Sequence, residues 1–279
     1  MPIQSLVMQT NVASLNAQKN LMQSEKVLST AMSRLSSGLR INMAADDAAG
    51  LSISEKLRAD IRSLVVAQRN ANDGISMLQT AEGGLNQIGD MLLRMRELAV
   101  QAANGTLGNA ERGALNDEFV ELKSEIDRIA NTTEFGGKFL LNGSLRTGVE
   151  LQVGINNTTN DTVTVSLVSA TAAAISFSAT VAISAVSKAS LAMTRLDSAI
   201  NQVSDRRGDI GAKQNRLYVT INNLAAMHEN ISAANSRIRD ADVATESANF
   251  LKGQILMQSG LSVLAQANQL PSMALSLLG

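Results

Sequence analysis

The sequence predicts a mainly α-helical protein, a long antiparallel coiled-coil or helical bundle that carries one small antiparallel β-hairpin region. Three observations predict it. Apolar residues repeat every seven positions in two separate stretches, at Leu57, Leu64, Ala71, Leu78, Leu85, Leu92 and Ala99, and again at Leu196, Val203, Ile210, Leu217, Leu224, Ile231 and Ile238. Aromatic residues make up only 2% of the 279, so the 45% that are apolar are chiefly Leu, Ile, Val, Met and Ala, the residues of packed helices. Strand-like alternation is confined to one short region in the middle of the chain.

The first heptad stretch has a companion line at Ile61, Gln68 and Ile75 that shifts register to Ala81, Ile88 and Met95. At 1.5 Å per residue it makes roughly 63 Å of helix. The second stretch matches it in length, so the two are expected to pack side by side. A third helix is expected from Asn109 to Ala130, where Leu115, Phe119, Leu122, Ile126 and Ile129 follow 4-3-4-3 spacing. Beyond it the period changes. Asn142-Gly143 between short apolar runs is a hairpin cue. Alternation follows at Leu151, Val153 and Ile155, and at Val163, Val165 and Leu167, with Asn156 to Asp161 as the connecting loop. Residues 169–190, rich in Ala, Ser and Thr, read as loop or short helix and as the most exposed part of the chain.

The two ends are alike in kind. Val7, Leu21, Leu28 and Leu35 form one stripe near the start, with Met8, Leu15 and Met22 beside it, and Val243, Phe250, Met257 and Leu264 form one near the end. From Gln254 to Gly279 there is no charged side chain. A free surface helix carries Lys or Glu opposite its apolar stripe. A terminus without them is suited to burial on several sides by other copies of the chain.

A net charge of −1 argues against nucleic-acid binding. With no cysteine there is neither disulfide nor thiolate site. The first twenty residues lack the basic and apolar regions of a secretory signal peptide, and no run of 18 apolar residues exists to span a membrane. Alone these facts read as cytoplasmic; export by a route needing no cleaved signal is the alternative. His228-Glu229 opens like a zinc-protease helix motif, but no second histidine exists, so His228 reads as a helix-packing residue. Glu134 to Phe139 lacks the first glycine of a phosphate loop. No enzyme, metal or cofactor is expected.

The stretch RLSSGLRINMAADDAAGLSIS, Arg34 to Ser54, is crowded with small residues around Asp46 and Asp47. The carboxylates read as caps for the helix through Leu51 and Leu57, with Arg40, Arg58 and Arg62 as candidate partners; catalysis or metal binding is the weaker alternative. Ala44, Ala45, Ala48, Ala49 and Gly50 read as surfaces of close approach, and Ser37-Gly38 as a break after the first helix.

These blocks, with QRNANDGISMLQTAEGGL, RELAVQAANGT and FGGKFLLNGS before the middle and RGDIGAKQNRL, SRIRDADVATE and VLAQANQLPSMALSLLG after it, resemble bacterial flagellins in family order. The middle departs: many flagellins insert large outer domains there, so this chain resembles a minimal form. The resemblance implies an extracellular structural subunit, exported through the flagellar type III channel and polymerised into a hollow filament for motility. It implies an inner domain from residues 1–44 and 240–279, whose paired terminal helices form a coiled coil lining the channel. An outer domain would span 45–239, with the hairpin region at about 135–168 and a variable segment at about 169–190. Assembly residues carried over are Arg34, Leu35, Gly38, Arg40, Asp46, Asp47, Gly50, Arg94, Arg96, Phe250, Met257, Leu264 and Leu270. Arg94, Leu98 and Glu118 correspond to the family's contacts for Toll-like receptor 5. Thr158, Thr159, Ser176 and Ser178 are candidate glycosylation positions. Implied partners are other copies, cap and hook-associated proteins and a chaperone for the C-terminal region. The rivals are a hook–filament junction protein and a monomeric helical adaptor.

Overall fold

The computed structural model describes residues 10–175, 177 and 181–276, with side chains as far as Gln269; Val7, Met8, Ser176, Ser178 and the Leu270 side chain lie outside it. Five helices are present among the described residues: α1 (Val12–Ser37), α2 (Ala48–Ala102), α3 (Asn109–Thr132), α4 (Val186–Arg239) and α5 (Val243–Ser276). Four short strands, β1 (Glu134–Phe135), β2 (Lys138–Phe139), β3 (Val149–Gln152) and β4 (Thr162–Val165), form two antiparallel pairs. The protein is therefore the helical bundle with a small β region that its periodicity predicts. It divides into two compact units, one of Met1–Ala59 with Asn230–Gly279, the other Asp60–Glu229.

In the larger unit the heptad residues do what their spacing requires. Leu64, Ala71, Leu78, Leu85, Leu92 and Ala99 of α2, and Leu196, Val203, Ile210, Leu217 and Leu224 of α4, are all buried. Arg96 reaches Asp197 and Gln214 reaches Glu82, so α2 and α4 run antiparallel. Glu82 accepts that bond where the companion stripe changes register. Helix α3 closes the core with Phe119, Ile126 and Ala130.

Two expectations for the middle of the chain need correction. Asn142-Gly143 does not turn a hairpin. The reversal falls at Gly136-Gly137, pairing Glu134 with Phe139 and Phe135 with Lys138. Both central residues there have positive φ, 57° and 76°, a conformation two glycines adopt without strain. Asn142 instead bends its own backbone, its side-chain oxygen accepting from the Ser144 N–H. The alternating runs do pair, Leu151 opposite Val163.

The second correction is larger. Far from being the most exposed segment, the described residues of 169–190 thread the core, with Ala170, Ala172, Ile175, Phe177 and Ile183 at 1% exposure or less. The Phe177 ring meets that of Phe119 at 5.6 Å between centroids. Irregular backbone can be buried only if its polar groups find partners. Asp127 accepts from the Ala172 N–H, Asn116 from the Ile183 N–H, and Arg206 donates to the Ala174 carbonyl.

The smaller unit is built on α1 and α5, which pair antiparallel. Asn11 donates to the Ala267 carbonyl, Ser14 to Asn268, and Arg34 to Glu246. Gly253 and Gly260, seven apart, face Leu28 and Leu21; a Cβ on Gly253 would stand 3.3 Å from the Leu28 Cα. The two helices approach closely because these positions have no side chain.

Candidate assembly interface

The stretch from Arg34 to Ser54 resolves into local structure. Helix α1 ends at Ser37, and Gly38 takes the left-handed φ of 70° that returns its N–H to the Arg34 carbonyl. The next residues run beside the segment after α4: Arg40 N donates to the Arg239 carbonyl, Ala241 N to that of Gly38, and the Arg40 side chain to that of Ile238. Asp47 caps α2 as expected, its carboxylate accepting from the Gly50 N–H at 2.9 Å. Asp46 does not. It closes the preceding turn by accepting from the Asn42 and Met43 N–H groups. Those bonds, Met43 foremost, hold its carboxyl below the ordinary range, with the Arg34 charge assisting. Arg40 and Arg58 are engaged elsewhere, Arg58 with Glu55.

Ala44, Ala45, Ala48 and Ala49 are exposed, whereas Gly50 is buried against Ile41. Glu55 gathers Arg239 and Arg58, and these two, Arg239 first, depress its pKa. Three anchors had gone unread in the sequence. Asp242 caps α5 by accepting from Ala244 and Thr245, a signal legible in the Asp-Val-Ala-Thr-Glu run. Glu246, almost enclosed, pairs with Arg34 at 2.9 Å. Arg112, 7% exposed, donates to the Ala102 and Asn104 carbonyls and so caps the end of α2 in the larger unit.

What remains on the smaller unit is apolar surface. Leu35, Phe250, Met257 and Leu264 are half-buried. Among the described residues, those buried along α1 and α5 are small or polar: Ser14, Ala17, Ala31, Gly253, Ala267 and Glu246. By contrast Leu15, Met22, Met32, Val243, Leu251, Ile255, Leu261 and Val263 are each more than half exposed. Among the described residues, thirteen large apolar side chains of this unit are exposed, and covering the open part of each stabilises by about 1 kcal/mol, on the order of 10 kcal/mol gross. Exposed large apolar side chains in this number on one unit point to an interaction site.

In the larger unit Arg94 forks between Glu118 and Glu97, both at about 3 Å, and its guanidinium pKa is raised by Glu97 and then Glu118. Arg96 pairs with Asp197 across to α4. Leu98, expected at a surface contact, is 1% exposed and belongs to the core. It lies three residues, about one helical turn, beyond the buried Met95, on the same inward face. Thr158 and Thr159 are exposed beside β4, and His228 is half-buried on α4. Among the described residues no three His, Asp or Glu side chains gather as a metal site, and no helix is long and apolar enough to cross a membrane. A groove of about 460 Å³ lies between Arg62, Val66 and Asn70 of α2 and the Gly154–Asn157 loop.

Comparison with known proteins gives this surface a context. The models of the bacterial flagellin N-terminal helical region and C-terminal helical region match residues 8–146 and 193–278. The chain is 45% identical to a flagellin of Halalkalibacterium halodurans over 98% of this chain and 100% of that one. It is 43% identical to a flagellin of Bacillus subtilis over 96% and 98% of the two chains. The crystal structure of Bacillus cereus flagellin, 34% identical, superposes with a TM-score of 0.50 over 60% of this chain and 94% of that one. A putative flagellar hook-associated protein from Vibrio parahaemolyticus shares the fold alone, at 14% identity and a TM-score of 0.59 over 70% of this chain and 100% of that one. Matched over 98% of its length by a relative at 45% identity and over residues 8–146 and 193–278 by the two helical-region models, the chain belongs to the bacterial flagellin family.

Proposed function

We propose that the chain is the structural subunit of an extracellular flagellar filament that serves motility, and that it polymerises by burying the open faces of α1 and α5 among other copies. The observation that carries this reading is a contrast between the units. Among the described residues the larger one encloses many Leu, Ile and Phe side chains, whereas the smaller encloses chiefly Ala and Ser and leaves its large apolar residues, Ile41 apart, exposed or half-buried. Phe250, Met257, Leu264 and Leu35 then complete their burial against neighbours, and Leu270 is a further assembly residue of this reading. The loop anchors Gly38, Arg40, Asp46, Asp47 and Gly50 hold the smaller unit's shape, while the exposed Arg94 and Arg96 pairs meet adjoining subunits.

Export through the flagellar type III channel, with a chaperone shielding the C-terminal region, suits a chain whose last helix is apolar on several sides. Cap and hook-associated proteins are the remaining partners of this reading, with the inner coiled coil at 1–44 and 240–279 lining the channel. Thr158, Thr159, Ser176 and Ser178 are its glycosylation positions. A junction protein fits the fold equally, but the full-length 45% identity to a flagellin supports the filament subunit. The test adds short filament seeds to purified chain and follows sedimentation and electron micrographs. Long tubes are expected; a chain that stays monomeric at high concentration, as a helical adaptor would, refutes the proposal.

A second reading concerns Toll-like receptor 5. The exposed Arg94–Glu118 pair on adjoining helices supports recognition of the free monomer, with Leu98 supporting the α2 backbone from within.

A further inference from the structure

Methionine is as a rule among the residues most often enclosed in folded proteins, and Met95 and Met77 of the larger unit follow it, at 0% and 4% exposure. The smaller unit breaks it. Met22, Met32 and Met43 are 69%, 62% and 62% exposed, the first two on α1 and the third in the turn that Asp46 closes. The chain holds no cysteine, so thioethers are its only sulfur. We infer that Met22, Met32 and Met43 are oxidation-sensitive positions of the smaller unit, and that peroxide acting on the unassembled chain blocks its polymerisation. This rests on the filament-subunit reading.

The chemistry is balanced by the oxidant itself. The thioether sulfur attacks one oxygen of hydrogen peroxide, the O–O bond breaks, and the departing hydroxide takes up a proton to leave as water. Sulfur is oxidised by two electrons to the sulfoxide and the peroxide is reduced. An unbranched apolar side chain becomes a strongly polar one. On a solvent-facing helix this costs nothing. It matters once the face must be covered, because a sulfoxide oxygen pressed against apolar neighbours loses its water. Each sulfoxide so buried raises the critical concentration for assembly on the order of tenfold. The window is the free subunit, since assembly encloses the same sulfurs.

The experiment treats full-length chain with hydrogen peroxide, maps sulfoxides by peptide mass spectrometry, and measures the critical concentration on filament seeds. We expect Met22, Met32 and Met43 to oxidise well before Met77 and Met95, and the critical concentration to rise at least tenfold. Methionine sulfoxide reductases A and B together restore it, a readout that needs no variant. For the combined Met22→Leu, Met32→Leu and Met43→Leu chain the ratio of critical concentrations after and before peroxide stays near one, whatever its untreated value, whereas Met227→Leu, a residue 40% exposed in the other unit, leaves the ratio as high as in the parent. Unimpaired assembly with all three sulfoxides in place overturns the inference, as does equal loss in the triple variant. Failure of the untreated chain to assemble on seeds sinks the filament-subunit reading itself.

Discussion

Replacing Gly50 with alanine sets two effects against each other. Gly50 is the third residue of α2, and alanine in a helix interior is favoured over glycine by about 1 kcal/mol. On propensity alone Gly50→Ala stabilises. The structure says otherwise. The new Cβ would stand 2.4 Å from an Asp47 carboxylate oxygen and 2.8 Å from the Ile41 Cδ1, both closer than real contacts allow. If Asp47 turns away, its bond to the Gly50 N–H is lost, at a cost of about 1 kcal/mol for an N-cap. If Ile41 moves instead, a side chain at 2% exposure is displaced, and overpacking costs about 1–3 kcal/mol. Both neighbours are crowded at once, so the losses exceed the gain by about 1–2 kcal/mol. Urea unfolding of the monomer by circular dichroism measures this, and the Gly50 amide should also exchange faster. A Gly50→Ala chain about 1 kcal/mol more stable than the parent would refute the close packing of Asp47, Gly50 and Ile41.

Other positions follow the same reasoning. Phe119→Ala removes a fully buried ring in contact with Phe177 and should destabilise by about 3–5 kcal/mol, read from the denaturation midpoint. Leu98→Ala should cost about 2–5 kcal/mol as a core truncation, whereas Arg94→Ala should leave the melting temperature nearly unchanged while weakening receptor signalling; equal melting temperatures for the two would contradict the burial of Leu98. The pKa values of Asp46, Glu55 and Asp242 are depressed from 3.8, 4.5 and 3.8, so the stability they contribute is complete above those values and is lost as pH falls through the lower folded ones. The Asn42 and Met43 amide resonances should therefore hold steady from neutral pH down to about 5 and move only below about 4; movement near pH 6 would contradict this.

The helical scaffold was legible because a seven-residue repeat leaves little choice. Residues from Leu64 to Ala99 point inward whatever surrounds them, and the cap at Asp47 announced itself as a carboxylate one residue before a helix. The third helix likewise ran almost as its 4-3-4-3 spacing required. The buried segment around Phe177 was not legible. Ala, Ser and Thr carry no periodicity, and what encloses that segment is long-range: Asp127 and Asn116 on α3 and Arg206 on α4. For the same reason Asn142-Gly143 misled. A strong local turn signal was outweighed by Gly136-Gly137, six residues upstream, where the strand register closes. Leu98 shows the limit of carrying a role across by position, since a matched residue in a motif still sits wherever its heptad phase puts it. Arg34 and Glu246 are far apart in sequence, and no local pattern joins them.

The central claim is that α1 and α5 complete their packing only against other copies. Hydrogen exchange on the same protein before and after seeded polymerisation measures it directly, peptide by peptide. The account predicts rapid exchange across α1 and α5 in the free chain, strong protection of both in the polymer, and little change across α3. Equal protection of α1 and α5 in the two states, or polymer formed after removal of Gln254 to Gly279, would contradict it.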